Sequence, residues 1–381
     1  MTKFKNSDLV HVAPGTPAGK FLRQFWQPLY RAEDIKPGWA KRVQIMNEFV
    51  TLYRGDDGVA HVVADRCPHR NTQLSIGWVE GDAIRCFYHG WKFNGAGECL
   101  EMPCEAENFT RKVTIRAYPT YEYLGLIFVY LGEGEVPAKP HFPELDEEDG
   151  RVLDIRRAPL PFNYFQRLEN SLDEAHVHFV HKVSADLTDE LRDLPQDFDA
   201  EETPYGILRL GVRERGDNKD NRYSHFFMPN CNFLVVPPSN EDDIWAAHLT
   251  WRVPVTDELT MSYAVERRPA DESAKKARES KAEHRPVTEI VADVLDGRMR
   301  MQDVDPNHPA LFNIQDIVAM SGQGKIYNRE NERLGQSDIG IILLRKIYQR
   351  ELGKIRAGRP IKKWHRTSDK VMLGFKPLAA E

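Results

Sequence analysis

The sequence predicts an α+β protein in two parts: an all-β N-terminal part, then a part in which strands are mixed with helices. Three observations carry that expectation. From about Phe25 to Leu131, short apolar-rich segments alternate with Gly, Asp and Asn, as in Phe49-Val50-Thr51-Leu52-Tyr53 before Gly55-Asp56-Asp57-Gly58 and Leu124–Leu131 before Gly132-Glu133-Gly134. Such runs, bounded by turn formers, read as strands. Gly132 to Pro143 holds three prolines and two glycines and reads as a linker. Beyond it, helical and strand patterns are interleaved, so the domains are expected at residues 1–140 and 141–381.

In the second part, Phe162 to His181 reads as one helix, with Asn163 as its cap and no internal Pro or Gly. Ile207–Arg213, Tyr223–Phe227, Phe233–Val236 and Leu259–Val265 read as strands from their β-rich content. The strongly charged stretch Pro269 to His284 reads as an exposed helix or a mobile loop. Ile339 to Ile355 carries apolar residues at helical spacing and is expected to pack on the sheet.

Composition narrows the function classes. At 381 residues, 41% hydrophobic and 29% charged, the chain can bury a sizeable core. Its net charge of −6 lacks the basic surplus that nucleic-acid binding calls for. Met1 to Pro17 contains two lysines but no apolar signal-peptide core, and the longest apolar run, near Tyr123–Leu131, is far short of the ~20 residues that cross a bilayer. The expectation is a cytoplasmic protein with no membrane partner. Five cysteines, an odd and sparse set, argue for metal or redox chemistry over a disulfide framework.

The strongest local signal is Cys67-Pro68-His69-Arg70, followed by Cys86-Phe87-Tyr88-His89-Gly90-Trp91. Two Cys/His pairs beside turn-forming residues can grip one metal centre from two loops. Thiolates suit iron in a sulfide cluster, and neutral imidazoles bind iron through a ring nitrogen. A cluster with two Cys on one iron and two His on the other has a higher reduction potential than an all-Cys one. Zinc would accept the same four ligands. With those positions filled, Cys99 and Cys104 read as buried small hydrophobes.

A second cluster runs from Glu169 to His181 and packs His176, His178 and His181 among Glu169, Asp173 and Glu174. A mononuclear Fe(II) centre that binds O₂ takes two His and one carboxylate on one face of the metal. Spacing does not select the histidines: His176 and His181 are about 140° apart on an ideal helix, whereas His178 and His181 share a face. A π-type bulge would reconcile the first pair with the geometry. For the carboxylate, Asp316 in Phe312-Asn313-Ile314-Gln315-Asp316-Ile317 has apolar flanks and so reads as buried and in need of a partner. Asp303 stands in polar, loop-like surroundings.

Together the two constellations resemble the oxygenase (alpha) component of the Rieske non-haem iron oxygenases. Cys67-x-His69…Cys86-x-x-His89 is similar to the Rieske motif, and Asp173-x-x-His176-x₄-His181 to the mononuclear iron motif. Around them, Trp78-Val79-Glu80-Gly81-Asp82, Tyr88-His89-Gly90-Trp91-Lys92, Gln315-Asp316, Asn328-Arg329 and Leu334-Gly335-Gln336-Ser337-Asp338 resemble the phthalate dioxygenase and dehydrodivanillate O-demethylase group. The resemblance implies a Rieske β domain, then a catalytic domain of helix-grip type, an antiparallel sheet flanked by helices. It implies one [2Fe-2S] cluster on Cys67, His69, Cys86 and His89, and one mononuclear Fe²⁺ on His176, His181 and Asp316. It further implies a head-to-tail homotrimer in which Asp173 bridges His89 of one subunit and His176 of the next, orienting both imidazoles. Asn170 is counted with that catalytic set, and Phe165, Asn232 and Phe233 as substrate-pocket candidates. Where the group carries a Glu shortly after the ligand Asp, this chain has Met320-Ser321-Gly322.

The activity so implied is that of a terminal oxygenase using O₂ to monooxygenate a small aromatic compound, by O- or N-demethylation or hydroxylation. Ring cis-dihydroxylation is the alternative, because both chemistries use the same ligands. Lacking a Gly-rich dinucleotide fingerprint after a strand, the chain is expected to need a separate NADH-dependent reductase (flavin and iron–sulfur) or a ferredoxin. Two rivals of other classes are a Rieske electron carrier with an appended ligand-binding domain and a zinc-stabilised binding protein.

Overall fold

In this computed structural model, residues 5–146, 151–182, 184, 193–215, 218–236, 246–269, 284–365, 371 and 375–377 are described. Contacts divide the chain into two compact units. One is His11–Lys139 with Val253–Thr256; the other is Met1–Val10, Pro140–Arg252 and Asp257–Glu381. The division after Lys139 falls inside the Pro/Gly-rich stretch. Helix α1 (Asn6–Val10) groups with the second unit, where the Tyr164 hydroxyl donates to Leu9 O (2.7 Å) and Asn163 Nδ2 to Val10 O (2.9 Å).

The first unit is β-rich, with two short helices, α2 (Pro17–Leu22) and α3 (Glu107–Thr110). Strands β1 (Trp26–Arg31), β11 (Leu126–Tyr130) and β10 (Thr120–Tyr123) form one sheet in that order. A second has the order β2 (Ala40–Ile45), β3 (Glu48–Arg54), β4 (Ala60–Ala64), β9 (Ala117–Tyr118). The third has β5 (Trp78–Glu80), β6 (Ala83–Arg85), β7 (Lys92–Asn94) and β8 (Cys99–Glu101). The Cys67 loop follows β4, and the Cys86 loop joins β6 to β7. Both cysteines belong to a buried cluster with Tyr53, Val63, Ile84, Trp91 and Phe93, so the loops are anchored in the core. Cys99 and Cys104 depart from expectation: Cys99 is half-buried and Cys104 exposed, because β8 lies at the edge of its sheet.

The second unit is built on an eight-stranded sheet. Its order is β12 (Arg151–Leu160), β18 (Thr260–Pro269), β17 (Ala246–Pro254), β16 (Cys231–Val236), β15 (Asn218–Phe227), β14 (Gly206–Arg215), β13 (Asp197–Glu202), with β19 (Phe375–Pro377) paired to β15. The pairings are antiparallel. Because successive strand residues point to opposite faces, the register sorts the sheet. One face carries Arg209, Gly211 and Arg213 of β14, Arg222 and Ser224 of β15, Asn232 of β16, and Thr250 and Arg252 of β17. The other carries His225, Phe227, Phe233, Leu249 and Trp251.

The long expected helix is two helices, α4 (Tyr164–Ser171) and α5 (Ala175–Val180). Asn163 caps α4 as expected, its Oδ1 accepting from Phe165 N (3.1 Å). The break falls at Leu172-Asp173, where Asp173 Oδ1 accepts from Ala175 N and His176 N (2.9 and 3.1 Å). A short acid that takes backbone N–H groups starts a new helix instead of continuing the old one. Helices α6 (Val287–Leu295) and α7 (Leu311–Ser321) share a core with Leu160 and Phe162, and α8 (Ile339–Arg356) packs on β13 and β14. Of the charged stretch Pro269–His284, residues 270–283 lie outside the described residues. Among the described residues no helix is long and apolar enough to cross a membrane.

Candidate metal centres

The two Cys/His loops share one design. Asn71 N donates to Cys67 O (2.9 Å) and Gly90 N to Cys86 O (3.1 Å). Each turn closes on a residue with positive φ, Asn71 at 61° and Gly90 at 73°. Both cysteines are 2% exposed, while His69 and His89 are at the surface. The imidazoles meet edge to face with centroids 4.4 Å apart, and His69 stacks on Trp91 at 4.6 Å and 8°. Burial pushes the Cys67 thiol up to about 12; neighbouring Cys86 adds to this, against the N–H groups of His69 and Arg70 that favour the thiolate. A thiol in that position becomes a thiolate only with a cation beside it.

Among the described residues, only His176, His181 and Asp316 gather three ligand atoms within 4.8 Å of one another. The Cys/His quartet therefore does not converge on one point, as a tetrahedral zinc site requires. Buried sulfurs at one end and exposed imidazoles at the other fit a two-iron cluster.

The second centre lies wholly within the second unit. His176 Nδ1 lies 2.8 Å from Asp173 O, and His181 Nδ1 2.9 Å from Gln315 Oε1. Both partners are acceptors, so both Nδ1 atoms carry the proton and both Nε2 lone pairs are left free. These aim at one carboxylate oxygen: Asp316 Oδ1 is 3.7 Å from His176 Nε2 and 3.4 Å from His181 Nε2. His181 Nε2 and Asp316 Oδ1 are buried and without a hydrogen-bond partner. Unsatisfied atoms converging in this way fit a divalent metal, and the donor set is that of a facial iron site. Burial, only partly offset by Asp316 and Asp173, holds His176 below its ordinary pKa, in the neutral form that binds metal. Burial also opposes ionisation of Asp316, but Arg167 with the two histidines overcomes it and holds the carboxyl well below its usual range.

The end of α5 settles which histidines meet. His181 lies beyond the end of α5, at φ −100° and ψ 11°, so helical spacing no longer governs its direction. No π-bulge is involved. His178 packs against Phe179, and His181 against Phe312 of α7, with ring centroids 3.4 Å apart.

Three supporting residues were given no role by the sequence. Arg167 Nη1 donates to Asp316 Oδ2 (2.8 Å), and the same atom donates to Asn170 Oδ1. Gln315 orients His181. Glu174, fully buried, accepts from Arg213 (2.6 Å), Arg222 (3.1 Å) and Arg209. It pins the start of α5 to the sheet at Gly211, where a Cβ would come 2.9 Å from Glu174 Cγ. Burial opposes its ionisation, and the three guanidinium groups still hold it well below the usual carboxylate range. The preponderance of arginine on one sheet face was the available clue.

The remaining expected residues are scattered. Asn170 reaches the centre only through Arg167. Asp173 is partly exposed and caps α5, with Oδ2 3.7 Å from His176 Nδ1. Phe165, about 200° around α4 from Arg167, is buried and packs on Tyr348 of α8 at 5.0 Å. Phe233 lies on the face opposite Asn232, against Phe227 at 5.9 Å.

These sites and folds define a class: a Rieske domain joined to a mononuclear iron domain. The comparisons agree. The Rieske [2Fe-2S] domain family matches residues 25–121. The 5,5'-dehydrodivanillate O-demethylase oxygenase subunit of a Sphingobium species is 29% identical over 93% of this chain and 81% of its own. The phthalate 4,5-dioxygenase oxygenase subunit of Pseudomonas putida is 28% identical over 94% and 88%. The fold of the reduced oxygenase–ferredoxin complex of carbazole 1,9a-dioxygenase matches with a TM-score of 0.61 at 21% identity, covering 91% of this chain and 94% of that one. The chain carries a Rieske [2Fe-2S] domain and is similar over most of its length to the oxygenase subunits of Rieske systems, and its cofactors are a [2Fe-2S] cluster and a mononuclear iron.

Proposed function

We propose that this chain is the terminal oxygenase of a multicomponent system that monooxygenates a small aromatic compound with O₂. In this reading His176, His181 and Asp316 hold the mononuclear iron, and Cys67, His69, Cys86 and His89 the cluster. The observation that carries it is the convergence of two free Nε2 atoms on the unpaired Asp316 Oδ1. When bound, the cluster supplies electrons and the iron supplies dioxygen activation. The chain's own groups do the rest. Asp173 O and Gln315 Oε1 fix the tautomers and aim the rings. Arg167 keeps Asp316 ionised and holds its second oxygen, so that Oδ1 faces the metal position. Burial of His181 and Asp316 limits water there.

The electrons come from a separate NADH-dependent reductase or ferredoxin, and the working unit is a homotrimer. In it the exposed part of Asp173 bridges to His89 of a neighbouring subunit, which the resemblance of the two motifs supports. The O-demethylase and the phthalate dioxygenase match the chain about equally, so the choice of monooxygenation rests on the resemblance of the motifs.

Metal and sulfide analysis with EPR after dithionite reduction tests the site. About three irons and two sulfides per chain are expected, with the rhombic signal of a His-ligated cluster. Zinc without sulfide or colour would overturn the reading. Oxygen uptake with a reductase and a panel of aromatic ethers and acids then tests the reaction; diol products in place of demethylated or hydroxylated ones would replace monooxygenation with cis-dihydroxylation.

A further inference from the structure

Helix α4 carries Arg167, which reaches Asp316, but at eight residues it is too short to hold its own position. What fixes it is the chain that leaves α7, the helix bearing Asp316. This strap runs back along α4 and is bonded to it at three successive places. Asn163 N donates to Lys325 O (2.8 Å). Gln166 Nε2 donates to Met320 O (3.1 Å) and Gly324 O (3.0 Å), and Tyr327 N donates to Gln166 Oε1 (3.1 Å). Arg329 closes the strap on Glu169, its Nε and Nη2 donating to the two carboxylate oxygens (2.9 and 2.7 Å).

Glu169 is buried and lies about 200° around α4 from Arg167, on the opposite side of the helix. Arg345 of α8 also donates to it (2.7 Å), and Arg345 is matched in turn by Glu332 (3.0 Å). The Arg329 guanidinium lies over the Phe165 ring, 5.1 Å from its centroid, and its Nη1 donates to Asn6 Oδ1 (3.0 Å). A buried ion pair adds little net stability, but a two-point fork fixes direction and distance. Here it fixes the axial position of α4 against the chain leaving α7. On the other side of α4, Arg167 Nη1 and Asp316 Oδ2 are 2.8 Å apart. A slip of about 1 Å would take them out of hydrogen-bond range.

We propose that Glu169 and Arg329 are positioning residues for the mononuclear iron: by clamping the strap to α4 they keep Arg167 opposite Asp316, and so hold that carboxylate in the attitude that meets the two histidines. Both act through Arg167 and not by contact with the ligands. Arg329 of the Asn328-Arg329 pair and Glu169, the first acid of the Glu169–His181 cluster, thereby share one task. This rests on the reading of His176, His181 and Asp316 as the iron site.

The test is Fe(II) titration of the full chain, its cluster in place and its second iron removed, in competition with a chelator. Arg329→Gln should weaken iron binding by about 10-fold, the lower end of what losing an orienting partner costs, and leave the rhombic cluster signal unchanged. Arg329→Lys, which keeps the charge but not the fork, should recover part of that loss. Arg167→Met should lose about 10- to 100-fold. Adding Arg329→Gln to Arg167→Met should cost nothing further, since residues that act through one contact are not additive. Unchanged iron affinity in folded Arg329→Gln would overturn the proposal, because a merely structural ion pair lowers Tm without touching the site. So would losses that multiply in the double variant. Should Arg329→Gln fail to fold, Arg329→Lys decides on the same two criteria: a loss against the natural chain, and its disappearance beside Arg167→Met. A natural chain that binds no iron beyond the cluster sinks the reading of the triad. One that binds it with an affinity indifferent to Arg329 sinks the strap alone.

Discussion

The two cofactor regions are built on opposite plans. The cluster site is made by two local loops, each a Cys-to-His turn closed by its own backbone hydrogen bond and rooted in one core. The mononuclear site is assembled across the chain: 134 residues separate His181 from Gln315, and a helix break, a buried ion network and a sheet face are all needed to bring the ligands together. The first site should therefore tolerate damage elsewhere in the fold, whereas the second should fail through residues that never touch the metal.

The largest effect expected from that contrast is on metal content. Asp316→Ala should lower iron from about three to two per chain, keep the rhombic cluster signal, and abolish oxygenation. Loss of the cluster as well would show that the sites are not independent.

Glu174→Leu comes next. It strands three buried guanidinium groups, and breaking a buried ion network costs about 3–5 kcal/mol. Denaturant unfolding followed by far-UV circular dichroism should show the second unit weakened, while the cluster's visible absorbance persists to higher denaturant. The same network sets a pH dependence. Glu174 has its folded pKa depressed below the unfolded 4.5, so its contribution is fully present above that value. It is lost as pH falls from 4.5 towards the folded pKa, and Glu174→Gln should flatten that acid limb of a Tm-against-pH profile. An unchanged limb would mean that other carboxylates dominate acid unfolding.

A subtler probe is Gln315→Leu, which removes the acceptor that orients His181. Losing such a partner commonly costs about 10–100-fold in metal affinity. Iron titration in competition with a chelator should show that loss, with the cluster untouched.

The smallest effect belongs to the cluster loops. Gly90→Ala places a Cβ at φ 73°, 3.2 Å from Pro103 Cγ, and should cost about 1–2 kcal/mol of stability. Asn71→Gly, which keeps the left-handed conformation available, should cost far less. If Gly90→Ala proved as damaging as Glu174→Leu, the local plan ascribed to the cluster site would be wrong.

Much of the fold was legible because its signals are local. The strands around Phe49–Tyr53, Ile207–Arg213 and Tyr223–Phe227, the Asn163 cap and the helix after Ile339 all appear as read. Strand β13 was missed, since Asp197-Phe198-Asp199-Ala200-Glu201-Glu202 lacks β-branched residues; an edge position with alternate residues exposed demands little hydrophobic content. The single helix from Phe162 to His181 was misread because Asp173 carries no breaker signature in a linear pattern. Its side chain ends one helix and starts another only because Glu174 is drawn into the sheet beside it.

By itself the sequence determined what is on offer: four Cys and His side chains suited to a cluster, residue types that offer themselves to a second iron, and a Pro/Gly-rich stretch between the two groups. Those facts are written in residue identity and short spacing, which survive any arrangement of the chain. Only the tertiary structure decided that His181 and not His178 faces His176, that Arg167 and Gln315 contact Asp316 and His181, and that Phe165 and Phe233 pack on Tyr348 and Phe227. Each of those depends on direction and burial. These are set by strand register, by a helix break and by the cost of leaving a buried charge or polar atom alone, and none of them is a property of one residue and its neighbours in sequence.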